Sequence, residues 1–157
     1  MANKTNKTDD KNRNLEEQVR RKKTQLRGIL ISERGTVELR VIKAENTEEE
    51  NEAIYRMLEI EYMELPRRSI GGVNYYIICD EEGALKDDPV PTVFREDHTP
   101  DIFGNVFICR SEGPNLASLT RDDIKNIFTH IQGQISICMN DWEGCMRFVL
   151  AGVEAPR

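Results

Sequence analysis

The chain reads as an α+β domain: a mainly antiparallel sheet built of hairpins, two helices packed on it, and a disordered basic tail ahead of them. Three observations predict this. Runs rich in β-branched and aromatic residues recur in pairs joined by glycine-bearing turns too short for a parallel crossover. Only two stretches, opening at Thr47 and Thr120, combine helix-start chemistry with helical apolar spacing. The first fourteen residues, MANKTNKTDDKNRN, hold nothing apolar beyond Met1 and Ala2, too little to offset the entropy of ordering them.

Taken in order, residues 1–27 form the tail, in which Leu15, Val19 and Leu26 give only a thin apolar stripe, and residues 28–157 form the α+β domain. Gly28 to Ser32 and Thr36 to Ile42 flank a Glu33-Arg34-Gly35 turn, a hairpin signal. Thr47 is the expected N-cap of the first helix, with Glu50 three residues on and the acids 48–50 complementing the helix dipole. That role explains the glutamate run without a metal. Ala53, Ile54, Met57 and Leu58 supply the inward face. Tyr62 to Arg68 and Val73 to Cys79 make a second hairpin around Ser69-Ile70-Gly71-Gly72. Residues 83–101, with Pro89, Pro91 and Pro100, read as irregular chain with one extended piece at Thr92-Val93-Phe94. Asn105 to Arg110 is a buried strand. The second helix turns Ile124, Ile127, Phe128 and Ile131 inward and is capped by Gly133. Gln134 to Met139 and Met146 to Ala151 close the fold around a turn at 140–144.

The formal charge of −6 is a sum of opposites. Residues 1–28 carry nine Lys/Arg against four Asp/Glu, and the remainder has a balance of −11. No apolar run approaches the roughly 20 residues that span a bilayer, and the start of the chain lacks the apolar core of a secretory signal. The expectation is a cytoplasmic protein inside the host cell, without membrane partners. Its four cysteines are then reduced thiols.

Cys79, Cys109 and Cys138 each follow an isoleucine at near-equal spacing, but their flanks do not repeat and no CxxC pair exists, so core thiols are expected and no metal site is assigned. His98 with Asp97 and Asp101 is the one acid–base grouping in the sequence. Walker, HExxH and GxSxG motifs are absent. No catalytic residue and no cofactor are therefore assigned; a hydrolase or nucleotide-modifying enzyme using Asp80, Glu82, His98 and Asp101 is a third reading. Arg20, Arg21, Lys22 and Lys23 could contact phosphates, although no aromatic side chain is interleaved for stacking. The acidic body could instead imitate DNA. Trp142, the only tryptophan, sits in a turn and packs on the sheet edge or meets a partner.

The stretch Cys79-Asp80-Glu81-Glu82-Gly83, then Leu85-Lys86 and Pro89, then Asp101-Ile102-Phe103-Gly104-Asn105-Val106-Phe107-Ile108, resembles the Domain of Unknown Function 3846 family, over residues 28–110. The family's small proteins are common in phages, prophages and conjugative elements, so the resemblance implies that genomic setting but no activity. The chain departs from the family where Asp87-Asp88-Pro89-Val90-Pro91 replaces a glycine and a paired-proline element. In the residues themselves, Asp80 can end a strand by accepting backbone N–H groups, Gly83 is expected to supply a positive φ, and Gly104 a close backbone approach. The loop between these strands is the expected binding surface, with Asp80, Glu82, Gly83, Lys86, Asp101, Gly104 and Asn105 as ligand or partner residues. The function expected is a non-enzymatic accessory protein binding a host protein or small ligand and counteracting host defence. The alternative is a nucleic-acid role through the tail or by mimicry. Unpaired sheet edges also admit a homodimer.

Overall fold

The computed structural model describes residues 24–137 and 144–157. The expected tail up to Lys23, Cys138 and Trp142 lie outside them. Among the described residues strand predominates, in the order β1 (Thr24–Ile31), β2 (Val37–Ala44), α1 (Thr47–Leu58), β3 (Met63–Glu64), β4 (Arg67–Ile70), β5 (Val73–Asp80), a 3-10 turn (Gly83–Leu85), β6 (Pro91–Arg95), β7 (Pro100–Phe103), β8 (Val106–Glu112), β9 (Asn115–Ala117), α2 (Arg121–Phe128), β10 (Ile131–Ile137) and β11 (Gly144–Val153). This is the expected α+β class, but there are two sheets instead of one. The larger runs β2-β1-β8-β5-β3, with β4 added to β5 and β9 to β8; the smaller runs β10-β11-β6-β7.

The alternation of side chains explains the layering. In β1, β5 and β8 both faces are apolar, as strands buried on two sides must be. Leu26, Leu30, Ile78, Phe107 and Cys109 face α1, meeting Ile54 and Leu58. Ile29, Ile31, Tyr75, Ile77, Cys79, Val106 and Ile108 face the smaller sheet and α2, meeting Val93, Ile102, Leu150, Val153 and Ile127. The two helices thus lie on opposite faces of the larger sheet.

Several expectations need correction. β1 begins at Thr24, because Leu26 is buried against α1 and pairs opposite Ile42. The N-cap of α1 is Asn46, not Thr47: its Oδ1 accepts the Glu49 N–H at 2.9 Å, while Glu49 Oε2 accepts the Glu45 N–H at 2.9 Å. Residues 91–103, expected to be largely irregular, form the β6–β7 hairpin; the prolines sit at strand starts, where no ladder N–H is required. The smaller sheet also contains a parallel pair, β6 with β11, made by chain that leaves and returns over nearly 50 residues and not by a short turn. The second helix is shorter than its apolar spacing suggests. Phe128 is 43 % exposed, Ile131 opens β10, and Gly133 lies within that strand instead of capping the helix. The helix starts where its sequence predicts: Thr120 and Asp123 form a reciprocal capping box. Asp123 Oδ1 also accepts from the Tyr75 hydroxyl at 2.9 Å, tying α2 to β5.

Candidate functional site

The acidic end of β5 is a turn, as its sequence suggests. Asp80 Oδ1 accepts the Glu82 N–H at 3.0 Å, and Oδ2 lies 3.2 Å from Lys86 Nζ. The carboxylate therefore ends the strand and steers Lys86 back over the turn. Both glycines are required, for reasons opposite to those expected. Gly83 is buried, and a Cβ there would lie 2.7 Å from the Phe103 carbonyl oxygen, so it is the residue of close approach. Gly104 has φ +83° and open space where a Cβ would be, so it is the residue of special backbone angle. Its N–H donates to the Val90 carbonyl at 2.8 Å, and its carbonyl accepts from the fully buried Thr92 hydroxyl at 2.7 Å.

Asn105 locks this corner to two other elements. Its Oδ1 accepts the Glu33 N–H at 2.9 Å, and its Nδ2 donates to the Leu58 carbonyl at 3.0 Å. The last of these is an end-of-helix carbonyl that otherwise lacks a helical donor. A polar cleft of ≈ 80 Å³ opens between the β1–β2 turn, the end of α1 and the 3-10 turn. Asp80, Gly83, Lys86, Gly104 and Asn105 all line it, together with Glu33, Glu59 and Asp88. Five of the seven expected binding residues are thereby brought to one place.

The other two are not part of it. Glu82 lies on the exposed side of the turn. Asp101, with its side chain 2 % exposed, belongs to a separate cluster near the chain's end: Arg68 grips it through Nε to Oδ2 at 2.7 Å and Nη2 to Oδ1 at 3.1 Å, and Arg95 approaches at 3.5 Å. The Asp101 hydrogen bond holds the Arg68 guanidinium above its ordinary range. Glu33, Glu59 and Arg68 were not anticipated. The helix end at Glu59 had a local signal, since the helical apolar spacing stops at Leu58, but its left-handed φ of 57° had none; Arg68 had none either, because its partner is 33 residues away.

The acid–base grouping is dispersed. Asp97 is committed to Thr99, whose hydroxyl and N–H donate at 2.6 and 3.0 Å and lower the carboxyl pKa. Asp101 is committed to its arginines, and His98 sits in the hairpin turn with φ 67°. His130 follows α2, its Nδ1 3.1 Å from the Asn126 carbonyl. Cys79 and Cys109 are free and buried on opposite faces of the larger sheet, an arrangement that precludes a shared metal. Burial pushes each thiol up to about 12. No group of three or more His, Cys, Asp or Glu among the described residues could hold a metal ion. Arg20, Arg21, Lys22 and Lys23 lie outside the described residues, and nothing is assigned to the Cys145 side chain. No helix among the described residues is long and apolar enough to cross a membrane.

A family model for a domain of unknown function, DUF3846, matches residues 26–132. The chain belongs to the DUF3846 family. The match runs past the expected limit of residue 110 and takes in α2, while β11, which completes the smaller sheet, lies beyond it. All the cleft-lining residues fall within the DUF3846 span. No curated protein and no solved structure matches the chain.

Proposed function

We propose that this DUF3846 protein is a non-enzymatic accessory protein of a mobile genetic element, and that it acts by binding a host protein whose cationic side chain enters the cleft between Asp80 and Asn105. The convergence of Asp80, Gly83, Lys86, Gly104 and Asn105 on one cleft carries the reading. Size selects the kind of ligand. Pockets for free small molecules occupy roughly 300–1,000 Å³, and the cleft of ≈ 80 Å³ has room for two or three waters or one side-chain head group. Charge selects the sign: four carboxylates, Glu33, Glu59, Asp80 and Asp88, line the cleft with Lys86 as the one cation. An ammonium or guanidinium is attracted there, and a phosphate is repelled. The family's setting in mobile elements supports a host target, and interference with host defence is the role that such a target suggests. A cytoplasmic location follows from the same reading. Nucleic-acid contact through Arg20 to Lys23, or mimicry of DNA, has charge alone in its favour.

The test is capture of binding proteins from host lysate, followed by titration of the purified candidate against wild type, Glu59→Lys and Asp88→Lys. Both positions are exposed, so the fold should be retained. The expected result is one host protein whose affinity falls at least tenfold in each variant and weakens with salt. A partner that binds the reversed-charge variants as well as wild type would overturn the assignment of the cleft.

A further inference from the structure

The edges of the two sheets are not equally protected. Exposed strand edges invite pairing with another chain, and proteins block them with charge, proline or brevity. β2 carries Glu38, Arg40 and Lys43; β3 has two residues; β4 carries Arg67 and Arg68; β7 begins with Pro100-Asp101; β9 has three residues. β10, IQGQISI, has seven residues and neither a charge nor a proline. It is the outer strand of the smaller sheet among the described residues.

The adjoining strand leaves β10 in an exposed ribbon. β11 joins β6 only at Leu150 and Val153; before them its ladder partner is β10, and its other side meets the β1–β2 turn, where the Phe148 N–H donates to the Gly35 carbonyl. One face of the ribbon is apolar and uncovered: Ile135 is 73 %, Met146 61 % and Phe148 41 % exposed. Ile135 stands opposite Met146 and Gly133 opposite Phe148. Gly133 leaves a gap in that face, with Met146 and Phe148 carbons and sulfur 3.4–3.7 Å from where its Cβ would be.

The free backbone groups can be identified from the ladder. The Ala151 N–H donates to the His130 carbonyl, and the Phe148 N–H donates outward to the Gly35 carbonyl. Hydrogen-bonded and open pairs alternate along an antiparallel ladder, so Ile131, Gly133 and Ile135 direct their N–H and C=O groups to the outer edge.

We infer that the outer edge of β10 is a homodimer interface, a second copy adding its own β10 antiparallel across a two-fold axis at Gln134 so that Ile135 of each copy seats over Gly133 of the other. This register pairs outward-directed residues with each other, joins the two smaller sheets, and fits a side chain to the gap left by a glycine. Edge pairing covers the backbone edges of both β10 strands and sets each Ile135 beside Gly133 of the other copy, while Met146 and Phe148, one strand further in, stay on one face of the joined sheet. An uncharged strand suits a copy of itself, since the pairing brings no like charges together.

Sedimentation velocity of the full chain, with amide hydrogen exchange, tests the proposal. The expected species has twice the 18.1 kDa chain mass, slow exchange at Gly133 and Ile135, and faster exchange at those amides on dilution. Ile135→Lys should weaken association at least tenfold, and Ile135→Ser by less; circular dichroism confirms that each variant is folded. The exchange measurement on wild type stands even where a variant does not fold. A monomer at every concentration overturns the proposal, as does a dimer insensitive to Ile135→Lys whose Gly133 and Ile135 amides exchange freely. Protection of those amides only in the presence of a captured host protein assigns the edge to that partner and also overturns it.

Discussion

Asn105 lines the candidate cleft, yet its amide is already engaged, so Asn105→Ala should act first on stability. The substitution removes the bond from the Glu33 N–H at 2.9 Å and the bond to the Leu58 carbonyl at 3.0 Å. A net intramolecular hydrogen bond contributes about 0.5–1.5 kcal/mol. The Glu33 N–H is exposed and can be rehydrated, which places it near ~0.5 kcal/mol; the Leu58 carbonyl is partly buried at the end of α1, near ~1.5 kcal/mol. The expected loss is about 2 kcal/mol. With an m-value of about 2 kcal/mol per molar for a domain of this size, the urea midpoint falls by about 1 M, and the thermal midpoint by about 4–8 °C. Urea titration followed by circular dichroism measures it, with Asp88→Ala as the control. Asp88 is an exposed residue of the same cleft, and its truncation should change stability by less than about 0.5 kcal/mol. An Asn105→Ala midpoint equal to wild type would refute the argument that this side chain fastens the β1–β2 turn and α1 to the cleft.

The two glycines of the site should separate by mechanism. Gly83→Ala forces the 3-10 turn away from the Phe103 carbonyl and should cost about 1–3 kcal/mol in urea titration, whereas Gly104→Asn, at φ +83° with open space, should cost less than Gly104→Val. Arg68→Met leaves the nearly buried Asp101 carboxylate with only the longer Arg95 contact and should destabilise by about 3 kcal/mol; a midpoint within error of wild type would show that Arg95 suffices. Cys79 and Cys109, raised by burial from the ordinary 9.0 to about 12, favour the fold in their protonated form. Their contribution is complete below pH 9 and is lost as pH rises toward 12. The drop in stability between pH 8 and pH 10.5 should therefore be smaller in Cys109→Ala than in wild type, and an equal drop would assign alkaline unfolding to other groups.

Much of the fold was legible because it is written locally. The β1–β2 and β4–β5 hairpins follow from alternation and glycine turns, the start of α2 from its Thr120 cap, and that of α1, one residue off its true cap at Asn46, from the acids of its first turn. The acidic end of β5 was legible for the same reason, since Asp80 reaches an N–H only two residues away. The elements that depart from the local pattern depend on distant neighbours. Phe128 and Ile131 have helical spacing, but the smaller sheet claims Ile131 for β10, where it stands opposite Leu150. Residues 91–103 carry the prolines of a loop, yet Val93 and Ile102 are drawn into the core beneath β1, β5 and β8.

The sequence by itself determined the class, the β1–β2 and β4–β5 hairpins, the start of α2 and the family, because each rests on patterns spanning a few residues. Only the tertiary structure decided that there are two sheets, that Asp101 belongs with Arg68 and not with Asp80, and that Gly83 and Gly104 exchange their expected reasons. Those outcomes depend on which atoms from remote segments meet: the Phe103 carbonyl over Gly83, Arg68 across 33 residues from Asp101. A one-dimensional pattern holds the preference of each residue but not the identity of the neighbour that satisfies it.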